Sequence, residues 1–158
     1  MKSKSHPMIL GFYGKSNIGK TTLIEKLISD LASQGYSIAA VKRTDKPINV
    51  DTPGKDTARF SRAGAKSVVL STPSGTTYFV QTHSEEKDII NHLQSMDGFD
   101  FIFIEGAHEE QIPKIRLGRI KKRLNTIFTY NGDYSMLFEK LQSDKLKELL
   151  NGKTYSIS

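Results

Sequence analysis

Met8-Ile9-Leu10-Gly11-Phe12-Tyr13, then Gly14-Lys15-Ser16-Asn17-Ile18-Gly19-Lys20-Thr21-Thr22, then a run with apolar residues at Leu23, Ile24, Leu27, Ile28 and Leu31: this stretch decides the fold. Its first six residues form a nearly unbroken apolar segment, as expected of a parallel strand covered on both faces. The spacing of the last five predicts a helix from Lys20 to Gln34, stopped by Gly35. Between them lies G-x-x-x-x-G-K-[ST], a phosphate-binding P-loop in the strand-to-helix setting that it requires. Gly14 and Gly19 allow the backbone to bend and approach closely, so successive N–H groups can face phosphate oxygens. Lys20 is placed to reach the outer phosphates and the Thr21 hydroxyl to face Mg²⁺, while the helix directs its positive end at the same point. Every residue from Gly14 to Thr22 is therefore a candidate nucleotide contact, Lys20 with a catalytic role as well and Thr21 as a metal ligand.

Working outward, Ser37–Val41 reads as a second short strand. Residues Thr44 to Asp56, with two prolines, a glycine and three aspartates, read as a loop at the C-terminal edge of the sheet, where ligands bind in open α/β folds. A short helix is expected over Asp56–Ala63, closed by Gly64. Ser67–Leu70 and Thr76–Val80 flank the turn signal Pro73-Ser74-Gly75, which predicts an antiparallel hairpin at a sheet edge. Ser84 followed by Glu85 and Glu86 reads as an N-cap and acidic first turn of a helix running to Met96. Strands follow at Phe101–Ile104, Lys114–Leu117 and Thr126–Thr129, with a last helix over Tyr134–Leu150. The expected architecture is one domain, residues 1–158: a three-layer P-loop NTPase-like α/β fold with a mostly parallel sheet, helices on both faces and the antiparallel hairpin at an edge.

Composition narrows the setting. The chain has no cysteine, which removes disulfides and thiolate metal sites and suits a reducing cytoplasm, and no segment is long and apolar enough for a bilayer. A formal net charge of +6 raises the question of nucleic acid. The basic residues are scattered apart from Arg116, Arg119, Lys121, Lys122 and Arg123, and no RNA-binding motif or interleaved aromatic pattern accompanies them. An anionic small molecule, or only solvent, suits that cluster better than a polynucleotide.

The strand Phe101-Ile102-Phe103-Ile104 runs straight into Glu105, which would emerge beside the P-loop to hold a Mg²⁺-bound water or orient an attacking one. Glu105 is thus a candidate catalytic and metal-site residue, and Gly106 would leave room for a terminal phosphate. Asp51 is a further candidate at the metal site, and Asp56 is as readily a helix cap. Among the four histidines only His108 falls where a substrate could touch it; no pair has metal-ligand spacing.

Three stretches together resemble one family. Gly14–Thr22, the unit Val50-Asp51-Thr52-Pro53-Gly54-Lys55-Asp56-Thr57 with Ala63-Gly64-Ala65 behind it, and Ile104-Glu105-Gly106 followed by Ile112-Pro113-Lys114-Ile115 are similar to the molybdopterin-guanine dinucleotide biosynthesis protein B (MobB) family. The resemblance spans roughly residues 8 to 117. It implies a cytoplasmic GTP-binding accessory protein with Mg²⁺, weak GTP hydrolysis and a homodimeric state. The implied partner is MobA, the guanylyltransferase that joins GMP to molybdopterin. Lys20, Thr21 and Glu105 carry over as nucleotide and Mg²⁺ residues, and Asp51, Lys55 and Asp56 as the second family loop. The chain departs from the pattern at His108, where relatives commonly carry lysine. It departs also at Lys15, which resembles the extra lysine of the ParA and MinD type of ATPase or is a solvated loop lysine.

Asn-Lys-x-Asp, the usual guanine-reading motif, is absent, and Asn131-Gly132-Asp133 is a candidate substitute, so GTP is implied by the resemblance alone. Two other readings stay open. A P-loop small-molecule kinase using ATP would need the Arg116–Arg123 segment as a mobile lid, and a regulatory P-loop protein would use the basic charge to bind nucleic acid.

Overall fold

The computed structural model describes residues 7–46, 56–96 and 98–143. In chain order its elements are β1 (Met8–Tyr13), α1 (Lys20–Ser33), β2 (Ile38–Lys42), α2 (Asp56–Arg62), β3 (Ser67–Thr72), β4 (Gly75–Val80), α3 (Glu86–Ser95), β5 (Phe101–Glu105), β6 (Lys114–Leu117), β7 (Thr126–Tyr130) and α4 (Tyr134–Gln142). They fall into two compact units, one drawn from Met1–Thr44 with Glu86–Ser158 and the other from Asp45–Glu85.

The larger unit is built on a five-stranded sheet in the order β2-β5-β1-β6-β7. Every pairing in it is parallel. All six residues of β1 are buried, which is what a central strand covered on both faces demands. Strand alternation divides the core into two layers. Met8, Leu10, Phe12, Phe101, Phe103, Ile115 and Leu117 face α1 and α4, which contribute Leu23, Leu27, Leu31, Leu137 and Leu141. Ile9, Ala39, Ile102 and Ile104 face the other way, onto Ile90 of α3 and onto Ala107 and Ile112. Helices on both faces of a parallel sheet are the expected three-layer arrangement.

Residues Gly106–Pro113 pass from β5 to β6 over the second face of β1. The crossing is close: a Cβ at residue 11 would stand 2.5 Å from the Cβ of Ala107. Gly11, which interrupts the apolar run, is the glycine that lets this loop lie on the strand, and Gly11 N–H donates to the Pro113 carbonyl at 2.9 Å.

In the smaller unit, β3 and β4 form a hairpin with Ser67 opposite Val80 and Thr72 opposite Gly75. The hairpin forms as expected, but its strands hydrogen-bond only to each other, so it is a separate sheet rather than an antiparallel edge of the main one. The turn signal identified the strands and their pairing with each other; nothing local to it says whether such a hairpin joins another sheet. The last helix also differs in length, ending at Gln142 because Ser143 is extended (φ −67°, ψ 135°). Residues 144–150, expected to continue it, lie outside the described residues.

Candidate functional site

The loop from Gly14 to Gly19 connects the C-terminal end of β1 to the first turn of α1. Two residues adopt the left-handed backbone, Asn17 (φ 60°) and Gly19 (φ 92°). Gly14 serves differently: a side-chain Cβ there would come within 2.7 Å of the Leu117 carbonyl oxygen. The end of β6 is thus pressed against the loop's first residue. Lys20 folds back over the loop, its Nζ donating to the carbonyls of Gly14 (3.2 Å) and Lys15 (2.7 Å). In this position the ammonium stands above the loop that the phosphate tail would occupy.

Thr21 and Glu105, separated by 84 residues in sequence, meet. The Thr21 hydroxyl donates to Glu105 Oε2 at 2.8 Å. Strand alternation explains the meeting, because Glu105 shares the face of Phe101 and Phe103, the face on which α1 packs. Register explains the height, since Glu105 stands opposite Phe12 in β1, two residues before the loop. Lys42 at the end of β2 lies 3.6 Å from the same oxygen, although its own side chain is mostly in solvent. Two hard oxygen donors side by side at a P-loop are a fit for Mg²⁺, which takes a few protein ligands and completes its shell with water and phosphate. Among the described residues no cluster of three or more acidic, histidine or cysteine side chains could hold a metal unaided. Asp51 and Lys55 lie outside the described residues, and Asp56 opens α2, where its carboxylate accepts from Arg59 at 3.3 Å.

One residue not singled out by its sequence supports this edge. Glu86, in the acidic first turn of α3, is buried rather than solvated. Its carboxylate accepts from Arg43 NH1 at 2.9 Å, from the His108 N–H at 2.9 Å and from the Glu109 N–H at 3.3 Å. Arg43 N–H in turn donates to the Glu105 carbonyl, and Gly106 N–H to that of Phe12. Glu86 therefore ties the loop that follows Glu105 to the residue that follows β2. His108 belongs to this network through its backbone; its side chain is exposed.

Asn131 and Asp133 have local employment. Asp133 caps α4 by accepting from the Met136 N–H at 3.0 Å, and Asn131 Oδ1 accepts from the Asp133 N–H at 3.1 Å. The 116–123 segment is pinned: Arg116 NH1 donates to the Ile120 carbonyl and Arg123 NH1 to that of Ala107. Lys114 is almost wholly buried. Its ammonium donates to the carbonyls of Glu109 and Ile112, with those of Glu110 and Leu124 at 3.4 Å. Burial holds its pKa below the usual lysine range, and the nearby Glu86 charge opposes that shift.

The family model for Molybdopterin guanine dinucleotide synthesis protein B, MobB, matches residues 9–137. The chain belongs to the MobB family. It is 35% identical over 122 residues to the Molybdopterin-guanine dinucleotide biosynthesis adapter protein of Escherichia coli, which covers 75% of this chain and 70% of that one. It is 39% identical over 113 residues to the putative adapter protein of Methanocaldococcus jannaschii, covering 68% of this chain but only 45% of the archaeal one. Its fold is that of MobB from Bacillus subtilis, with TM-scores of 0.63 and 0.66 to two solved structures at 23% and 18% identity. Those alignments cover 77% and 84% of this chain and 76% and 94% of the solved ones. Among the described residues of this MobB family member, no helix is long and apolar enough to cross a membrane.

Proposed function

We propose that this chain is a GTP-binding accessory protein in molybdopterin guanine dinucleotide synthesis, taking Mg-GTP on the Gly14–Thr22 loop and assisting the guanylyltransferase that joins GMP to the pterin. The observation that carries the reading is the 2.8 Å contact of Thr21 with Glu105, which joins the two nucleotide elements of a P-loop fold. Membership of the MobB family and the adapter-protein names of the relatives support the biosynthetic setting. Lys20 and the loop N–H groups would hold the phosphates, and Thr21 with Glu105 the Mg²⁺, directly or through water. The metal, when bound, neutralises phosphate charge.

Turnover in this reading is slow. Arg43, the arginine next to Glu105 at the sheet edge, is already committed to Glu86 and is not free to act as an arginine finger. A homodimer belongs to the same reading, and the outward Val69, Tyr78 and Val80 of the hairpin, each more than half exposed, offer apolar surface for one.

Calorimetry with GTP and ATP, with and without Mg²⁺, tests the proposal. GTP is expected to bind in preference to ATP and more tightly with Mg²⁺. Lys20→Ala is expected to weaken it by roughly 30- to 100-fold, the equivalent of losing one or two charge-assisted phosphate contacts. Preference for ATP would move the chain to the kinase reading, and no binding of either would end the nucleotide assignment.

A further inference from the structure

Away from the Gly14–Thr22 loop, the larger unit carries a cavity of about 450 Å³. One wall is the β6–β7 connection, with Ile120, Lys121, Lys122, Arg123 and Leu124; the other is His108 and Glu110 of the β5–β6 connection, with Lys114 at the base. We propose that this pocket is a second anion site, built for the phosphate group of a small molecule with a flat ring.

The wall is held in place rather than loose. Arg123 NH1 donates to the Ala107 carbonyl at 2.7 Å and its guanidinium lies 4.8 Å over the Tyr13 ring. Its backbone N–H donates to the Tyr13 hydroxyl at 3.0 Å. Asn125, in the left-handed region at φ 54°, sends its side-chain amide to the Glu110 carbonyl at 2.7 Å. Together with the Lys114 ammonium, which gathers carbonyls from both connections, these bonds close the two loops into one concave surface.

Charge then decides what the surface accepts. Lys121, Lys122 and Arg123 line it, and no described carboxylate lies within ion-pair distance of any of them. Glu110 is the single acid in the lining, against these three cations and the buried Lys114. Solvated lysines on a free loop would point apart. Here the bonded backbone keeps all three in the lining of one cavity, beside the apolar Ile120 and Leu124. A phosphate on a flat body matches both halves, with charge-assisted bonds for the phosphate and aliphatic surface for the ring.

The pocket is also coupled by the chain to the first site. Tyr13, beneath Arg123, immediately precedes Gly14, and the β5–β6 connection that carries His108 and Glu110 begins at Gly106, directly after Glu105. The synthesis named for the family joins a pterin to a guanine nucleotide, and the pocket offers a place for the phosphorylated partner that the P-loop would not hold. That identification of the ring as a pterin rests on the proposed function; the anion site does not.

The test uses the full chain carrying Lys20→Ala, which weakens the P-loop, followed by ¹⁵N–¹H NMR during titration with inorganic phosphate at constant ionic strength, so that shifts at Gly14 to Thr22 are read apart from those at the second site. Saturable shifts are expected at the amides of Lys121 to Leu124 and of His108. The further pair Lys121→Ala with Lys122→Ala, both on exposed side chains, should weaken that binding at least tenfold while leaving the thermal midpoint unchanged. Absence of saturable shifts, or shifts indifferent to the pair, overturns the proposal. An oligonucleotide binding there far more tightly than phosphate, with a steep salt dependence, overturns it in favour of a polynucleotide surface. GTP titration of the unsubstituted chain is read separately: if it fails while phosphate still binds at Lys121 to Leu124, only the proposed nucleotide function falls.

Discussion

Glu86→Ala removes a buried carboxylate that three donors converge on, and the consequence can be worked from those contacts. Two of the donors are the backbone N–H groups of His108 and Glu109, which cannot turn away without moving the loop. Each buried N–H left without an acceptor costs about 1–3 kcal/mol. The third donor, Arg43, has a side chain 32% exposed, so its guanidinium can turn to water and its share is at most about 1 kcal/mol. The sum is about 2–7 kcal/mol. For a chain of 158 residues that corresponds to a fall in thermal midpoint of roughly 4–28 °C. Arg43→Ala should cost only about 1 kcal/mol, because it leaves Glu86 with both backbone donors. Glu86→Gln, which keeps the shape but turns one acceptor into a donor, should fall between. The loosened segment follows directly on Glu105, so Glu86→Gln should also reduce the gain in GTP affinity that Mg²⁺ provides, with less effect on binding without metal. Thermal melts monitored by circular dichroism, paired with calorimetry, read both effects. A Glu86→Ala midpoint within about 2 °C of the parent, or an Arg43→Ala variant equally unstable, would refute the claim that this carboxylate anchors the loop.

Gly14→Ala is expected to cost about 1–3 kcal/mol in urea unfolding and to abolish GTP binding, because the new Cβ would meet the Leu117 carbonyl at 2.7 Å, a backbone atom with nowhere to go; unaltered stability and binding would contradict that crowding. Tyr134→Phe should lower the thermal midpoint near neutral pH. The Tyr134 hydroxyl donates to Asp30 at 2.5 Å, a bond that joins α4 to α1. That bond lowers the Asp30 pKa, while burial and the Asp30 contact raise that of Tyr134. A depressed carboxylate contributes stability above its unfolded pKa, and a raised phenol contributes below its own. The midpoint difference between parent and variant should therefore shrink as pH falls below about 4 and as it rises above about 10. A difference constant across that range would sink the attribution.

Much of the first site was legible from residues alone. The P-loop, the helix behind it and the carboxylate ending β5 are local patterns, and their element types follow from apolar spacing without knowledge of neighbours. Gly11 also carried a signal, since a glycine inside an apolar strand marks close backbone approach, and the structure supplies the partner in Ala107. Glu86 and Lys114 carried none. An acidic first turn and a lysine opening a strand are ordinarily solvated, and nothing in their spacing distinguishes a side chain turned inward onto backbone N–H or carbonyl groups.

Local pattern was enough to tell strand from helix and to mark Gly14–Thr22 as a P-loop sequence, because those properties depend on residues within one or two turns of each other. Long-range contacts alone set β5 between β1 and β2, left the hairpin as a sheet of its own rather than an edge of the main one, and brought Thr21 to Glu105 across 84 positions. An apolar strand can pair with any similar strand. The choice among them is made by chain connections and shared burial, which no local stretch encodes.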